Sequence, residues 1–240
     1  MRLRSRFNLW LGAVLALGVA AAGTVTYGLL HRDARDQVVQ TASLLMAAAE
    51  ATRSYTTEFI KPHLDQRLDV EFLPQTVPAF AATETIIALR KQFPEFTYKE
   101  AVLNPTNPRD RTSDWEADIV NIFRADTART QIVGERSQGP IQALYFAKPI
   151  KISNPTCLTC HSTAATAPAS MIKLYGEANG FGWKQDEIIG AQIVTVPLSF
   201  ADKAADRTFA ILLGAYVLLA LLALGTGNLL LGKAGSSAAN

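Results

Sequence analysis

The sequence predicts an α+β domain, helices packed on a small and mostly antiparallel sheet, held between two membrane-spanning helices. Three observations carry this prediction: long uncharged runs near both ends of the 240-residue chain, helical periodicity in the first half of the stretch between them, and short β-branched runs in its second half. The charge distribution agrees. Arg2, Arg4, Arg6 and Lys233 are the only charged residues outside 31–207, so that stretch holds 19 of the 23 Lys and Arg and all 21 Asp and Glu, a net charge of −2. The basic pI near 8.5 therefore comes from the chain ends, where arginines orient a membrane segment, and does not mark a nucleic-acid-binding surface.

In chain order, residues 7–30 form an uncharged run of 24 behind three arginines, long enough to cross roughly 30 Å of hydrocarbon as a helix. Residues 1–30 are thus an N-terminal anchor; the competing reading is a cleaved signal, because Ala20 and Ala22 make an A-x-A site. Either way 31–207 is exported, a domain of 177 residues and enough for one core. From Asp33 to Ile60 the positions Val38, Leu45, Ala48, Ala49, Tyr55 and Phe59 recur at helical spacing, and Pro62 is expected to end the helix. Further helices are expected over 78–93, closed by Pro94, and over 114–124, opened by the capping box of Ser113 and Glu116. Strands are expected over 97–103, 130–135, 141–147 and 191–198, with Ser137, Gly139 and Pro140 marking a hairpin. A second uncharged run of 25, residues 208–232, lies between Arg207 and Lys233 and predicts a second span, followed by the short tail 233–240. Two spans place both ends in the cytoplasm and the main domain on the periplasmic, extracytoplasmic side of the inner membrane.

The chain has two cysteines, and both lie in Cys157-Leu158-Thr159-Cys160-His161, the attachment pattern of c-type haem. Two intervening residues put both thiols on one short turn, where they can add to the two vinyl groups of one haem. His161 then supplies the proximal axial ligand. A redox disulfide would need a thioredoxin-like βαβ context, and a structural zinc site would need four ligands, which His31 and His63 do not complete. One covalent haem c is the expected cofactor.

The run CLTCHSTAATAPASMIKLYGEANGFGWKQDEIIGAQIVTVP, with FLPQTVPAFAATETI, FPEFTYKEAVLNPTNPRDR and WEADIVNIFRAD before it, resembles the c-type haem PAS-like sensor domain family of bacterial and cyanobacterial membrane proteins. The resemblance covers most of 35–200. It implies a PAS-like antiparallel sheet with a long N-terminal helix and one covalent haem against the sheet, Cys157 and Cys160 being the thioether positions and His161 the proximal ligand. Many relatives continue after the second span into signalling modules, whereas only residues 233–240 follow it here.

Donors for the distal position are few: Met46, Met171, His31 and His63. Met171, ten residues after His161, is expected to pack, and His31 sits at the membrane edge. Met46 on the long helix is by periodicity a core residue, but the resemblance makes it the distal candidate, because the family's long helix covers the open haem face. His63, in the polar stretch KPHLDQR, is the rival and otherwise a solvated residue, and an open iron is the third reading. Trp183, Lys184, Arg124 and Tyr175 are candidates to line the haem and neutralise its propionates, and each reads equally as a core or surface residue. Gly176, Gly180 and Gly182 read as turn residues.

The expected function is that of a membrane-anchored monohaem c-type cytochrome in one-electron transfer with a redox partner protein. The alternative is a haem-based redox or gas sensor signalling through a partner, which the resemblance favours and the short tail disfavours. An enzyme is not expected, because no nucleophile, base pair or carboxylate dyad accompanies the motif.

Overall fold

A computed structural model describes residues 3–68, 70–139 and 141–237, and the expected turn residue Pro140 lies outside them. The chain divides into two units, one of residues 1–37 with 199–240 and one of residues 38–198. The first is a pair of helices, the start of α1 (Leu3–Tyr55) and α7 (Ser199–Ser237). Both are long and apolar enough to cross a membrane, with mean hydropathy of 1.8 and 2.4. They run antiparallel: Asn8 donates to Asn228 at 2.8 Å, Thr26 meets the Tyr216 hydroxyl at 3.1 Å, and His31 meets Asp206 at 3.1 Å.

The second unit is α+β, as the sequence predicts. Strands β1 (Thr97–Val102), β2 (Ile132–Gln138), β3 (Ile141–Lys151) and β4 (Ile188–Pro197) form one antiparallel sheet in the order β1-β4-β3-β2. Strand β4 is central and buried almost throughout, including its polar residues Gln192 and Thr195. Gly139, at φ +60°, turns the β2–β3 hairpin. Strand β3 runs four residues beyond its expected end. Lys148 and Pro149 interrupt the apolar pattern there, but Lys148 reaches Glu50 of α1 at 2.9 Å, and the pairing continues through Pro149 opposite Ala191.

One sheet face is covered by α4 (Asp114–Ala125), which opens with the expected capping box and buries Ile119, Val120 and Phe123 on Ala101, Ala147, Ala191 and Ile193. Of α1, the buried positions Val38, Ala42, Met46 and Ala49 recur at helical spacing. Farther along, its Arg53 forms an ion pair with Glu100 of β1, which is 2% exposed and also accepts from the Tyr98 hydroxyl at 2.7 Å. Burial and the Glu100 charge push the Tyr98 phenol well above its ordinary range.

The long helix does not end cleanly before Pro62. It widens into a single π turn, Thr56–Ile60, and continues as α2 (Lys61–Leu64), with Pro62 in the first turn of that segment. A proline clashes with the carbonyl four residues back, and a wider turn accommodates the missing bond. Helix α3 (Pro78–Leu89) stops four residues short of its expected end, in a turn before Pro94.

Candidate functional site

The attachment turn is built by local chemistry. Asn154 accepts from the Thr156 backbone and hydroxyl at 2.9 and 2.8 Å, which caps a 3₁₀ turn, Pro155–Cys157, leading into α5 (Leu158–His161). Cys157 and Cys160 are free, half-buried thiols on this turn. Cys157 and Leu158 pack with Trp183 on Val102, Ile150, Ile152 and Ile189 at one end of the sheet. Burial raises both thiol pKa values; Arg53 and Lys61 pull Cys157 back down, and Lys61 does the same for Cys160.

His161 is held by groups distant in sequence. Its Nδ1 lies 2.7 Å from the Gly180 carbonyl and 3.4 Å from the Thr106 hydroxyl, and its ring stacks on Trp183 at 3.8 Å between centroids and 16° between planes. A carbonyl only accepts, so Nδ1 carries the proton and Nε2 keeps its lone pair. Burial lowers the His161 pKa against the opposing Gly180 carbonyl, which favours the neutral ring a metal requires. Two backbone bonds fasten the same segments, Gly182 N to Ser162 O at 2.9 Å and Trp183 N to His161 O at 3.2 Å.

The support behind Gly180 comes from the loop after β1. Asn104 accepts from Gly180 N and donates to Phe181 O, both at 3.3 Å, while Arg111 donates to Asn179 at 3.1 Å. Gly180 has φ +87°, and a Cβ there would meet Thr106 Oγ1 at 2.0 Å and its Cα at 2.9 Å. The position admits no side chain, both for its backbone and for its neighbour.

Of the residues anticipated from sequence, Cys157, Cys160, His161 and Trp183 are brought together. Met46 is 1% exposed on α1, seven residues and about 10 Å of helix rise before Arg53, the residue whose charge reaches Cys157. Met171 is buried on α6 (Ala169–Tyr175) and packs as expected, His63 is exposed, and His31 belongs to the helical pair. Arg124 is engaged by Glu187 at 2.6 Å and by the Ile188 carbonyl at 2.8 Å, and Tyr175 sets its ring edge-on to Phe72 at 5.8 Å. Lys184 is exposed. Asn104, Thr106, Arg53 and Lys61 were not anticipated; the turn-rich NPTNPRDR stretch was the available signal for the first two.

Among known proteins, the Tll0287-like family profile matches residues 31–197. No curated protein matches. A solved structure described as the crystal structure of the cyanobacterial heme-protein Tll0287 is similar at 15% identity and a TM-score of 0.48, covering 68% of this chain and 93% of that one. With the family profile spanning all but the last residue of the α+β unit, its cysteine turn included, this chain belongs to the Tll0287-like family.

Proposed function

We propose that this protein is a membrane-anchored monohaem c-type cytochrome that passes single electrons to or from a redox partner protein. The observation that carries the reading is the His161 ring, held neutral with Nδ1 donating to Gly180 at 2.7 Å and Nε2 left as a ligand, directly after the second of two free thiols. Donation of this kind from the other ring nitrogen fixes the orientation and raises the basicity of a metal-bound imidazole. Cys157 and Cys160 would hold haem by thioether bonds, and His161 would supply its proximal ligand. When bound, haem supplies reversible one-electron chemistry at its iron.

Met46 is the proposed distal ligand: it is a thioether on the buried face of the helix whose later turn reaches Cys157. Residues 7–30 and 208–232 are proposed to span the inner membrane, with 31–207 on its extracytoplasmic side, from the arginines before the first run.

Absorption spectra of the purified protein in both redox states, with and without carbon monoxide, test the assignment. The carrier reading expects no change on adding carbon monoxide and loss of the methionine-to-ferric-iron band in Met46→Leu, a substitution that nearly conserves volume. Carbon monoxide binding to the wild type would transfer the reading to a gas sensor signalling through a partner.

A further inference from the structure

On the sheet face covered by α4 lies a cavity of about 280 Å³, just under the roughly 300 Å³ at which drug-sized pockets begin. Thr83 of α3, Lys99 of β1, Arg109 and Asp110 of the turn after it, and Trp115 and Glu116 of α4 line its wall. None of these residues touches His161 or the two thiols.

The wall's charges are unequally satisfied. Lys99 is committed to Glu116 and to the Arg111 carbonyl, both at 2.7 Å, and Glu116 also accepts from Ser113 N. Arg109 is committed to Glu84 at 2.6 Å and lies over the Phe80 ring at 4.7 Å. Asp110 is left with a 3.6 Å contact to Arg109, although its side chain is only 18% exposed. Thr83 is 8% exposed, and its hydroxyl has no hydrogen-bond partner. A buried hydroxyl without a partner and a poorly compensated carboxylate both cost stability, and both are relieved by a donor bearing positive charge.

We propose that this cavity binds a small primary amine, no larger than an amino acid, whose ammonium group donates to the Asp110 carboxylate and the Thr83 hydroxyl. The three donors of an ammonium suit convergent acceptors, whereas a quaternary ammonium has none. An anion would face Asp110 and Glu116 with both wall cations already engaged. An apolar guest would leave Thr83 and Asp110 unpaired. The acid itself shows the strain of its setting, because burial pushes Asp110 up to about 6 despite Arg109 beside it.

Calorimetric titration of the purified full-length protein in detergent tests this, with ethanolamine and glycine as amines and tetramethylammonium and acetate as controls. Saturable binding of at least one amine and of neither control is expected. Asp110→Asn should weaken that binding by about tenfold and Thr83→Val by about threefold, with each variant melting no lower than wild type. The proposal is overturned if neither amine binds up to about 10 mM, if acetate or tetramethylammonium binds as well as the amines, or if both variants bind like wild type. Haem attachment is read separately from the visible spectrum, so its failure and failure of amine binding remain distinct.

Discussion

The surroundings of His161 and the cavity beside Asp110 share one loop, residues 104–111, yet treat polar groups in opposite ways. Around His161 both the ring and the Asn104 amide are hydrogen-bonded, and Gly180 is pressed against Thr106 so closely that no Cβ fits. In the cavity the Thr83 hydroxyl has no partner and Asp110 keeps one long ionic contact. The difference separates a seat that must orient its ligand before arrival from a chamber whose polar groups are completed by what enters it. Altering the first therefore removes function and stability, whereas deleting a polar group from the second removes a cost.

The largest expected effect lies in the seat. Replacing Cys157 and Cys160 together by Ser should abolish haem staining after denaturing electrophoresis, and retained stain would disprove thioether attachment. Next, Gly180→Ala should destabilise by about 2 kcal/mol and lower Tm by about 4–8 °C, since it forces both a positive φ and a clash. An unchanged melting curve would mean that the Thr106–Gly180 approach is slack.

The cavity variants should move the other way. Asp110 has a folded pKa near 6, above the ordinary carboxylate value, so the folded state resists its ionisation. That penalty is absent below about pH 4, where the acid is protonated in both states, grows as pH rises, and is complete above about pH 6. Asp110→Asn should accordingly raise Tm by about 3 °C at pH 7.5, with the gain closing between pH 6 and 4. A gain independent of pH would point to packing instead. The facing charges are Lys99, Glu100, Arg109 and Glu116, and holding these constant is what makes the comparison informative. Smallest of all, Thr83→Val should leave Tm unchanged or raise it by about 1–3 °C; a fall would show that the hydroxyl is bonded after all.

What could be read in the sequence was local. The cysteine turn is written in five consecutive residues, the Ser113–Glu116 cap in four, and the strands of the α+β unit in short β-branched runs. The seat of His161 was not legible, because Thr106 lies 55 residues away and Gly180 19 residues away, joined by a carbonyl that carries no residue identity. Strand β3 was shortened for the same reason: Lys148 looks like a boundary until Glu50, 98 residues distant, supplies its counter-charge. The partner of Arg124 was equally out of reach, because Glu187 lies 63 residues away in sequence.

Thr106 lies 3.4 Å from the His161 ring, and Arg109 and Asp110, three and four residues later, line the cavity. Thermodynamic linkage then constrains the two sites together. If the loop takes different positions in the two oxidation states, a guest that binds tenfold more tightly to the reduced form raises the midpoint potential by about 59 mV. Reduction must then tighten that guest by the same factor, whichever of the two events comes first.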